Sequence, residues 1–356
     1  MKKVRLGDLV TIDSGFAFKS SLFNESEGMP IIRIRDVNSG QTNTFYSGEY
    51  DEKYIVNKGD LLIGMDGNFT IRKWDSGKAL LNQRVCRIKS NSNELSNEYL
   101  YRIMPNHLKM IEDRTPFVTV KHLSVKSIDN IELYLPSLEI QKKIANTLDK
   151  AQRLIDKRKE QIELLDELVK SRFIEMFGDP IVNSRGWEIR YWNEILTIKN
   201  GKNQKAIEDK NGIYKICGSG GFMSYGNDYI CNENTVIIGR KGNINKPILM
   251  REKFWNVDTA FGLEPNNKWL NVDYLYIFCE MYNFEKHNKA VTIPSLTKGD
   301  LLNIEMSLPP IELQNKFADF VKQVDKLKFE MKKSLEELEE NLNSLMKKAF
   351  NGELFQ

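Results

Sequence analysis

Histidine and cysteine are scarce in this chain: three of the first (His107, His122, His287) and four of the second (Cys86, Cys217, Cys231, Cys279) among 356 residues. The cysteines stand far apart, no Cys-x-x-Cys occurs, and no histidine lies at ligand spacing, which argues against a metal centre and leaves reduced, buried thiols as the expectation. No apolar run approaches the length of a membrane span. Met1-Lys2-Lys3 leads into polar Asp8 and not into the apolar core of a signal peptide, so the expectation is a cytoplasmic protein without a membrane partner. The phosphate-cradling Gly-x-x-x-x-Gly-Lys-Ser/Thr is missing, and Gly218-Ser219-Gly220-Gly221 reads as a turn because it does not fit the dinucleotide fingerprint. Also missing is the Asn-Pro-Pro-aromatic tetrapeptide with which amino-methyltransferases hold a flipped adenine. Glu330-Met331-Lys332 lies on a heptad helix and reads as a solvated face, not as part of a nuclease motif. The chain therefore lacks any visible catalytic apparatus, and no cofactor is expected on it. A strong net charge is lacking too: 52 basic and 49 acidic side chains leave +3, with a pI near 8.4. Any nucleic-acid binding must come from positive charge gathered on loops.

What is present is a repetition. The stretch from Ile131 to Gln141, Ile-Glu-Leu-Tyr-Leu-Pro-Ser-Leu-Glu-Ile-Gln, returns displaced by 173 residues as Ile304 to Gln314, Ile-Glu-Met-Ser-Leu-Pro-Pro-Ile-Glu-Leu-Gln. The match runs upstream through Val118-Thr119 and Leu123, which pair with Val291-Thr292 and Leu296. Downstream, Leu154, Leu165 and Phe177 pair with Leu327, Leu338 and Phe350. Roughly a third of the positions in this stretch are identical, which internal duplication explains and chance does not. Earlier in each half, Thr11-Ile12 with Gly15 corresponds to Thr197-Ile198 with Gly201, and Leu61 to Gly64 corresponds to the run ending at Gly239. Gly67-Asn68 corresponds to Gly242-Asn243, and Tyr99-Leu100-Tyr101 to Tyr274-Leu275-Tyr276. The scaffold is shared while the loops differ, which suggests two related tasks on two different targets.

Ile31 to Ile34, Asp60 to Ile63 and Arg84 to Ile88 read as strands bounded by glycine and proline, and Asn97 to Met104 as a helix. The clearest periodicity follows each repeated motif. Ile144, Leu148, Ala151, Ile155, Arg158, Ile162, Leu165 and Val169 step by four and three. The same seam in the second half reads Phe317, Val321, Val324, Lys328, Met331, Leu335, Leu338 and Leu342. A period of 3.5 over about four heptads is what a coiled-coil pair requires, and Arg158, equivalent to Met331, is a break suited to fixing register. Pro136 and Pro309-Pro310 stand at the helix starts; Gly178 with Pro180, and Asn351-Gly352, stand at the ends. The first helix, about Glu139 to Phe177, would span on the order of 58 Å. To bury its seam, the second must run antiparallel to it.

The expected fold class is α+β: two similar mixed α/β globular domains (1–135 and 180–308) separated by two long antiparallel helices (136–179 and 309–356) that form a coiled coil. The internal repeat gives this assembly a pseudo-twofold axis. A domain closing in Ile-Glu-x-x-Leu-Pro, a helix opening in Glu-x-Gln, and the duplication of both resemble the specificity subunit of type I restriction-modification systems. The helix ends Met176-Phe177-Gly178-Asp179 and Ala349-Phe350-Asn351-Gly352 carry the resemblance further, as does Val291-Thr292-Ile293-Pro294-Ser295-Leu296. The first half keeps Thr119 and Leu123 but has Lys121-His122 where the second has Pro294-Ser295. The resemblance implies two target recognition domains, each reading one half of a split, asymmetric double-stranded DNA site. It implies that two modification subunits dock on the helices and bring S-adenosylmethionine. It also implies a restriction subunit that adds ATP-driven translocation and Mg-dependent cleavage. The chain itself would be a reader and an assembly platform.

Base edges are read mainly by Arg, Lys, Asn and Gln. In the first domain the candidates are Arg33 and Arg35, expected on one polar face of a strand, then Asn68, Arg72, Lys73, Gln83, Arg84, Lys121 and His122. In the second they are Lys202, Asn203, Gln204, Lys205, Arg240, Lys241, Asn243, Asn245, Lys246 and Lys298; the glycine-freed run Gly239 to Lys246 is the most telling. Trp74 and Trp255 read as packing residues. On the helices, Leu154, Leu164, Leu168 and Phe173 flank the seam and are expected to help dock the modification subunits, together with Ile140 and Leu327. Two other readings stay open at this point: a coiled-coil scaffold that binds only proteins, and a methyltransferase or nuclease with a degenerate motif.

Overall fold

The structure, a computed structural model, describes residues 2–115, 120–288 and 293–355. The paired runs Val118-Thr119 and Val291-Thr292 lie outside the described residues. Two compact units divide the chain, and each takes part of both long helices: Met1–Arg158 with Ser334–Gln356, and Lys159–Lys333.

Unit 1 contains the strands Lys2–Arg5 (β1), Val10–Ser14 (β2), Leu61–Gly64 (β3), Ile71–Lys73 (β4) and Val85–Ser90 (β5). The helix Asn97–Arg114 (α1), the strand Glu132–Leu135 (β6) and the long helix Leu138–Phe177 (α2) follow. The central sheet has the order β2-β5-β3-β4 and is antiparallel throughout, while β1 pairs separately with β6. β3 is buried at every position, as its unbroken apolar run requires. In α1 the residues Leu100, Met104 and Leu108 are buried at four-residue spacing. That face holds α1 helical through Pro105 to Arg114, beyond the expected end at Met104.

Unit 2 repeats the plan with Glu188–Tyr191 (β7), Leu196–Asn200 (β8), Thr235–Gly239 (β9), Ile248–Met250 (β10) and Ala260–Pro265 (β11). The helix Val272–Met281 (α3), the strand Glu305–Leu308 (β12) and the long helix Ile311–Phe350 (α4) complete it. Its sheet order is β8-β11-β9-β10, with β7 on β12. Even the register repeats, with Val85 opposite Gly64 in one unit and Ala260 opposite Gly239 in the other. The glycine after each first sheet strand is fixed by close approach: a Cβ on Gly15 would come 2.0 Å from the Asn82 carbonyl oxygen, and one on Gly201 would come 1.8 Å from that of Val257. The units differ in the second sheet that each adds to this plan. Unit 1 carries a five-stranded sheet of short strands between Phe23 and Leu81, and unit 2 a three-stranded one built from Tyr214–Gly218, Gly221–Gly226 and Phe254–Asn256.

The repeated motif acts as a clamp. Gln141 is fully buried; its amide donates to the carbonyls of Pro136 (2.9 Å) and Glu94 (2.6 Å), and its oxygen accepts from the Ser96 amide (2.9 Å). Gln314, also fully buried, donates to the carbonyls of Pro309 (2.7 Å) and Trp269 (3.0 Å) and accepts from the Asn271 amide (2.8 Å). Ser96 and Asn271 are the N-caps of α1 and α3, so one glutamine in each half ties the start of a long helix to the start of a short one. Tyr99 and Tyr274 add matching bonds from their hydroxyls to the carbonyls of Tyr134 (3.1 Å) and Ser307 (2.7 Å).

In unit 1, Ile144, Leu148 and Ile155 from the first half of α2 share a core with Leu342 and Ala349 from the last half of α4, with Leu335 and Leu338 packed at its edge. In unit 2, Phe173 and Phe177 at the end of α2 share a core with Phe317 and Val321 near the start of α4, with Val169 at the edge. The helices therefore run in opposite directions. Val324 is buried, whereas Ile162, Leu165 and Met331 are half-buried. The seam lysine Lys328 is neutralised across the pair by Asp166, with Nζ 2.5 and 2.7 Å from the two carboxylate oxygens.

Candidate nucleic-acid interface

The strongest likeness between the units lies where β3 and β9 end. In unit 1 the Met65 amide donates to the Arg84 carbonyl (2.9 Å), the Leu123 amide to Met65 (2.7 Å), and the Gly67 amide to Lys121 (3.0 Å). In unit 2 the Arg240 amide donates to Thr259 (2.8 Å), the Leu296 amide to Arg240 (2.9 Å), and the Gly242 amide to Pro294 (3.0 Å). These are the same three bonds at equivalent positions. Gly67 and Gly242 have φ of +74° and +77°, the left-handed region that favours glycine, and both face open space. One rigid backbone arrangement is thus built twice, joining the turn after the central strand, the residue before its neighbour strand, and a distant third segment.

The shared turn keeps Gly-Asn in both units, but the side chains around it differ. In unit 1 the exposed His122 has its Nδ1 2.6 Å from Oδ1 of Asp66, and Arg84 lies beside both. Asn68, Lys73 and Gln83 are exposed nearby along the chain. In unit 2 the positions of Asp66, His122 and Arg84 are taken by Lys241, Ser295 and Thr259. Arg240, Lys241, Asn243 and Lys246 are exposed, with the Arg240 guanidinium 5.7 Å from the centre of the Phe261 ring. Lys202 leaves from the same edge: its amide donates to the Asn256 carbonyl (2.9 Å), and its own carbonyl accepts from Trp255 Nε1 (2.9 Å). Lys205 and Asn203 are exposed beyond it and Gln204 is half-buried; the Asn203 side chain accepts from the Lys205 amide (2.9 Å). Trp74 and Trp255 are buried.

Several expected readers are engaged elsewhere. The strand holding Ile31 ends at Ile32, and the Arg33 amide donates to Asp36 (2.8 Å) at the start of a short helix, Ile34–Ser39. Arg33 and Arg35 therefore do not share a strand face, and Arg35 donates to Thr44 (3.1 Å). Arg72 donates to the Asn38 carbonyl (2.7 Å), Lys121 to that of Glu112 (2.7 Å) at the end of α1, and Lys298 to that of Ile198 (2.8 Å). Asn245 accepts from the Phe284 amide (2.8 Å) and donates to Asn283 (3.3 Å), which ties it to its own unit. Ser219, Thr259 and Ser295 carry no periodic or compositional signal. Only the fold brings them beside Lys241, whose carbonyl accepts from the Ser219 hydroxyl at 3.3 Å.

On the helices, Leu154, Leu164 and Leu168 are about half exposed (54%, 51% and 47%), as is Leu327. Phe173 is not: it is fully buried, with its ring 4.9, 5.1 and 5.4 Å from those of Phe177, Tyr274 and Phe317. The globular part of unit 2 closes over that flank, which removes Phe173 from any docking surface. All four cysteines are buried, and burial pushes the Cys86 thiol up to about 12 and that of Cys217 to about 11, the reverse of an activated nucleophile.

Comparison with known proteins places these features in a family. The family model described as the type I restriction modification DNA specificity domain matches residues 1–164 and 184–340. The EcoBI specificity subunit of Escherichia coli is 29% identical, over 99% of this chain and 86% of that protein. The MjaVIII specificity subunit of Methanocaldococcus jannaschii is 23% identical, over 99% and 92%. Among solved structures, a type I restriction-modification S subunit from M. genitalium superposes with a TM-score of 0.59 at 18% identity, covering 98% of this chain and 96% of that one. A chain from a structural study of complex assembly and conformational transition in the type I R-M system gives 0.61 at 18% identity, covering 99% and 98%.

Proposed function

This chain belongs to the type I restriction-modification DNA specificity family, and from that premise we propose how its two units divide the work. It is a specificity subunit, a protein that recognises DNA sequence for a restriction-modification complex. Unit 1 reads one half of a split site through the Asp66–Asn68 turn, Gln83-Arg84 and His122. Unit 2 reads the other half through Arg240, Lys241, Asn243 and Lys246, and through Lys202 to Lys205. One observation carries this assignment: a single backbone arrangement, held by the same three bonds in both units, presents Asp66, Arg84 and His122 in one and Lys241, Thr259 and Ser295 in the other. Shared scaffold with variable loops is the economy expected of two readers with different targets.

Assembly with methyltransferase and restriction subunits belongs to the same reading. Two modification subunits dock on the outer faces of α2 and α4, where Leu154, Leu164 and Leu168 are uncovered, and supply S-adenosylmethionine chemistry. The restriction subunit contributes the ATP- and Mg-dependent steps. This chain performs none of them: its role is to position DNA against partners that react.

Methylation mapping of a genome carrying this chain and its modification subunit tests the reading directly. The expected result is methylated adenine in one motif made of two short, dissimilar half-sites around an unspecified spacer. A continuous motif, or methylation independent of this chain, overturns the division of labour. Methylation of DNA by the purified chain alone would overturn its non-catalytic role.

A further inference from the structure

We infer that Asp66 is a positioning residue for sequence readout by unit 1, fixing the hydrogen-bonding state of His122 and the placement of Arg84. This rests on reading the turn after β3 as part of the DNA-facing surface. Asp66 Oδ1 lies 2.6 Å from His122 Nδ1, while Arg84 Nη1 lies 3.3 Å from the same nitrogen and Arg84 Nε 3.5 Å from Asp66 Oδ2. One nitrogen cannot donate to a carboxylate and accept from a guanidinium at once. The shorter contact decides the matter: an ionised carboxylate only accepts, so Nδ1 carries the hydrogen. Arg84 is then held by the carboxylate and not by the ring.

The consequence is a fixed pattern at the surface. In the tautomer with its hydrogen on Nδ1, the lone pair sits on Nε2, which has no hydrogen-bond partner among the described residues. An outward acceptor matches the exocyclic amine of adenine or cytosine in the major groove, and the guanidinium beside it matches the O6 and N7 acceptors of guanine. The His122 and Arg84 side chains are about half exposed (51% and 54%) while Asp66 is 24% exposed, so the carboxylate sits behind the two groups it orients. Arg84 also holds φ at +71°, a left-handed conformation that a non-glycine residue adopts at a cost. Strain kept at a surface arginine points to a use for that side chain in place. Unit 2 has no counterpart, since Lys241, Ser295 and Thr259 stand at the equivalent positions and include no carboxylate. The device serves one half-site only.

Two substitutions test it, read by selecting duplexes from a randomised pool with the full chain in complex with its modification subunits. Asp66→Asn keeps the shape but offers an amide that can donate or accept, so either ring tautomer is allowed. It should lower the base preference by about tenfold at one or two adjacent pairs of a single half-site and leave the other half-site unchanged. Arg84→Gly relieves the backbone and should melt no lower than the parent, yet lose preference within the same half-site. A purely structural role for Arg84 predicts lower melting with intact preference. Unchanged preferences in both variants, or losses spread over both half-sites, overturn the inference while leaving the split-site reading intact. If the parent chain selects no split site, the functional reading itself fails.

Discussion

His107 is one residue whose chemistry reports on folding. It is buried against the Phe350 ring, 4.5 Å between centroids, and burial lowers its pKa to about 4 from the ordinary 6.5. The unfolded chain therefore binds a proton that the folded chain refuses. Stability from this residue is complete above about pH 6.5 and is lost as the pH falls toward 4, by about 2 kcal/mol at pH 5. His107→Leu should remove most of that acid sensitivity, which thermal melting of both proteins at pH 7 and pH 5 will show as a smaller difference for the variant. The two glutamines make a second case. Each buried amide makes three hydrogen bonds, so Gln141→Ala and Gln314→Ala each strand groups that water cannot reach. Each should cost about 2–3 kcal/mol in denaturant unfolding. Near-equal losses are expected because the clamps are equivalent; a neutral result for either would show that water replaces the side chain there.

At the scale of the elements, the regular and periodic parts of the chain were open to sequence reasoning. The two long helices, the buried β3 and β9 runs, and the breaks at Gly178 and Asn351-Gly352 are local patterns, and the structure has them at those residues. Contacts made across the sequence were not open to it. Lys298 reaches a carbonyl 100 residues away, and Arg72 one 34 residues away, so neither is the free cation that its composition suggests. Phe173 flanks the seam as Leu154 does, but only Phe173 lies under Tyr274. This contrast yields a prediction about the helices. Leu154→Asp with Leu168→Asp places charge on exposed positions and should leave melting within about 0.5 kcal/mol of the parent. The pair should nonetheless abolish co-purification with the modification subunit. Phe173→Asp, by contrast, buries a carboxylate among three aromatic rings and should destabilise unit 2 by about 4 kcal/mol. Normal co-purification of the double variant would move the docking surface off these leucines.

For the whole molecule, the decisive property is that two readers of one design sit in one polypeptide, which lets their side chains diverge independently. In a dimer of identical subunits every change at Asp66 would also appear at its symmetry mate, and the site read would be palindromic. Here Lys241 occupies that place, so the two halves of the site are free to differ. Exchanging residues 180–308 for the matching segment of a relative with a known, different site should therefore change one half-site and keep the other. The junctions favour this experiment: residue 180 follows the helix-ending Gly178, and Leu308 precedes the proline whose carbonyl Gln314 holds. Among the contacts that must survive are two at Gln314, whose amide donates to the Trp269 carbonyl and whose oxygen accepts from the Asn271 amide; both partners are backbone groups that any family member presents if it has the same clamp. Methylation mapping of the exchanged protein reads the outcome. A motif with one inherited and one donor half-site is expected; a motif altered in both halves would mean that the units read DNA jointly and that neither is a reader in its own right.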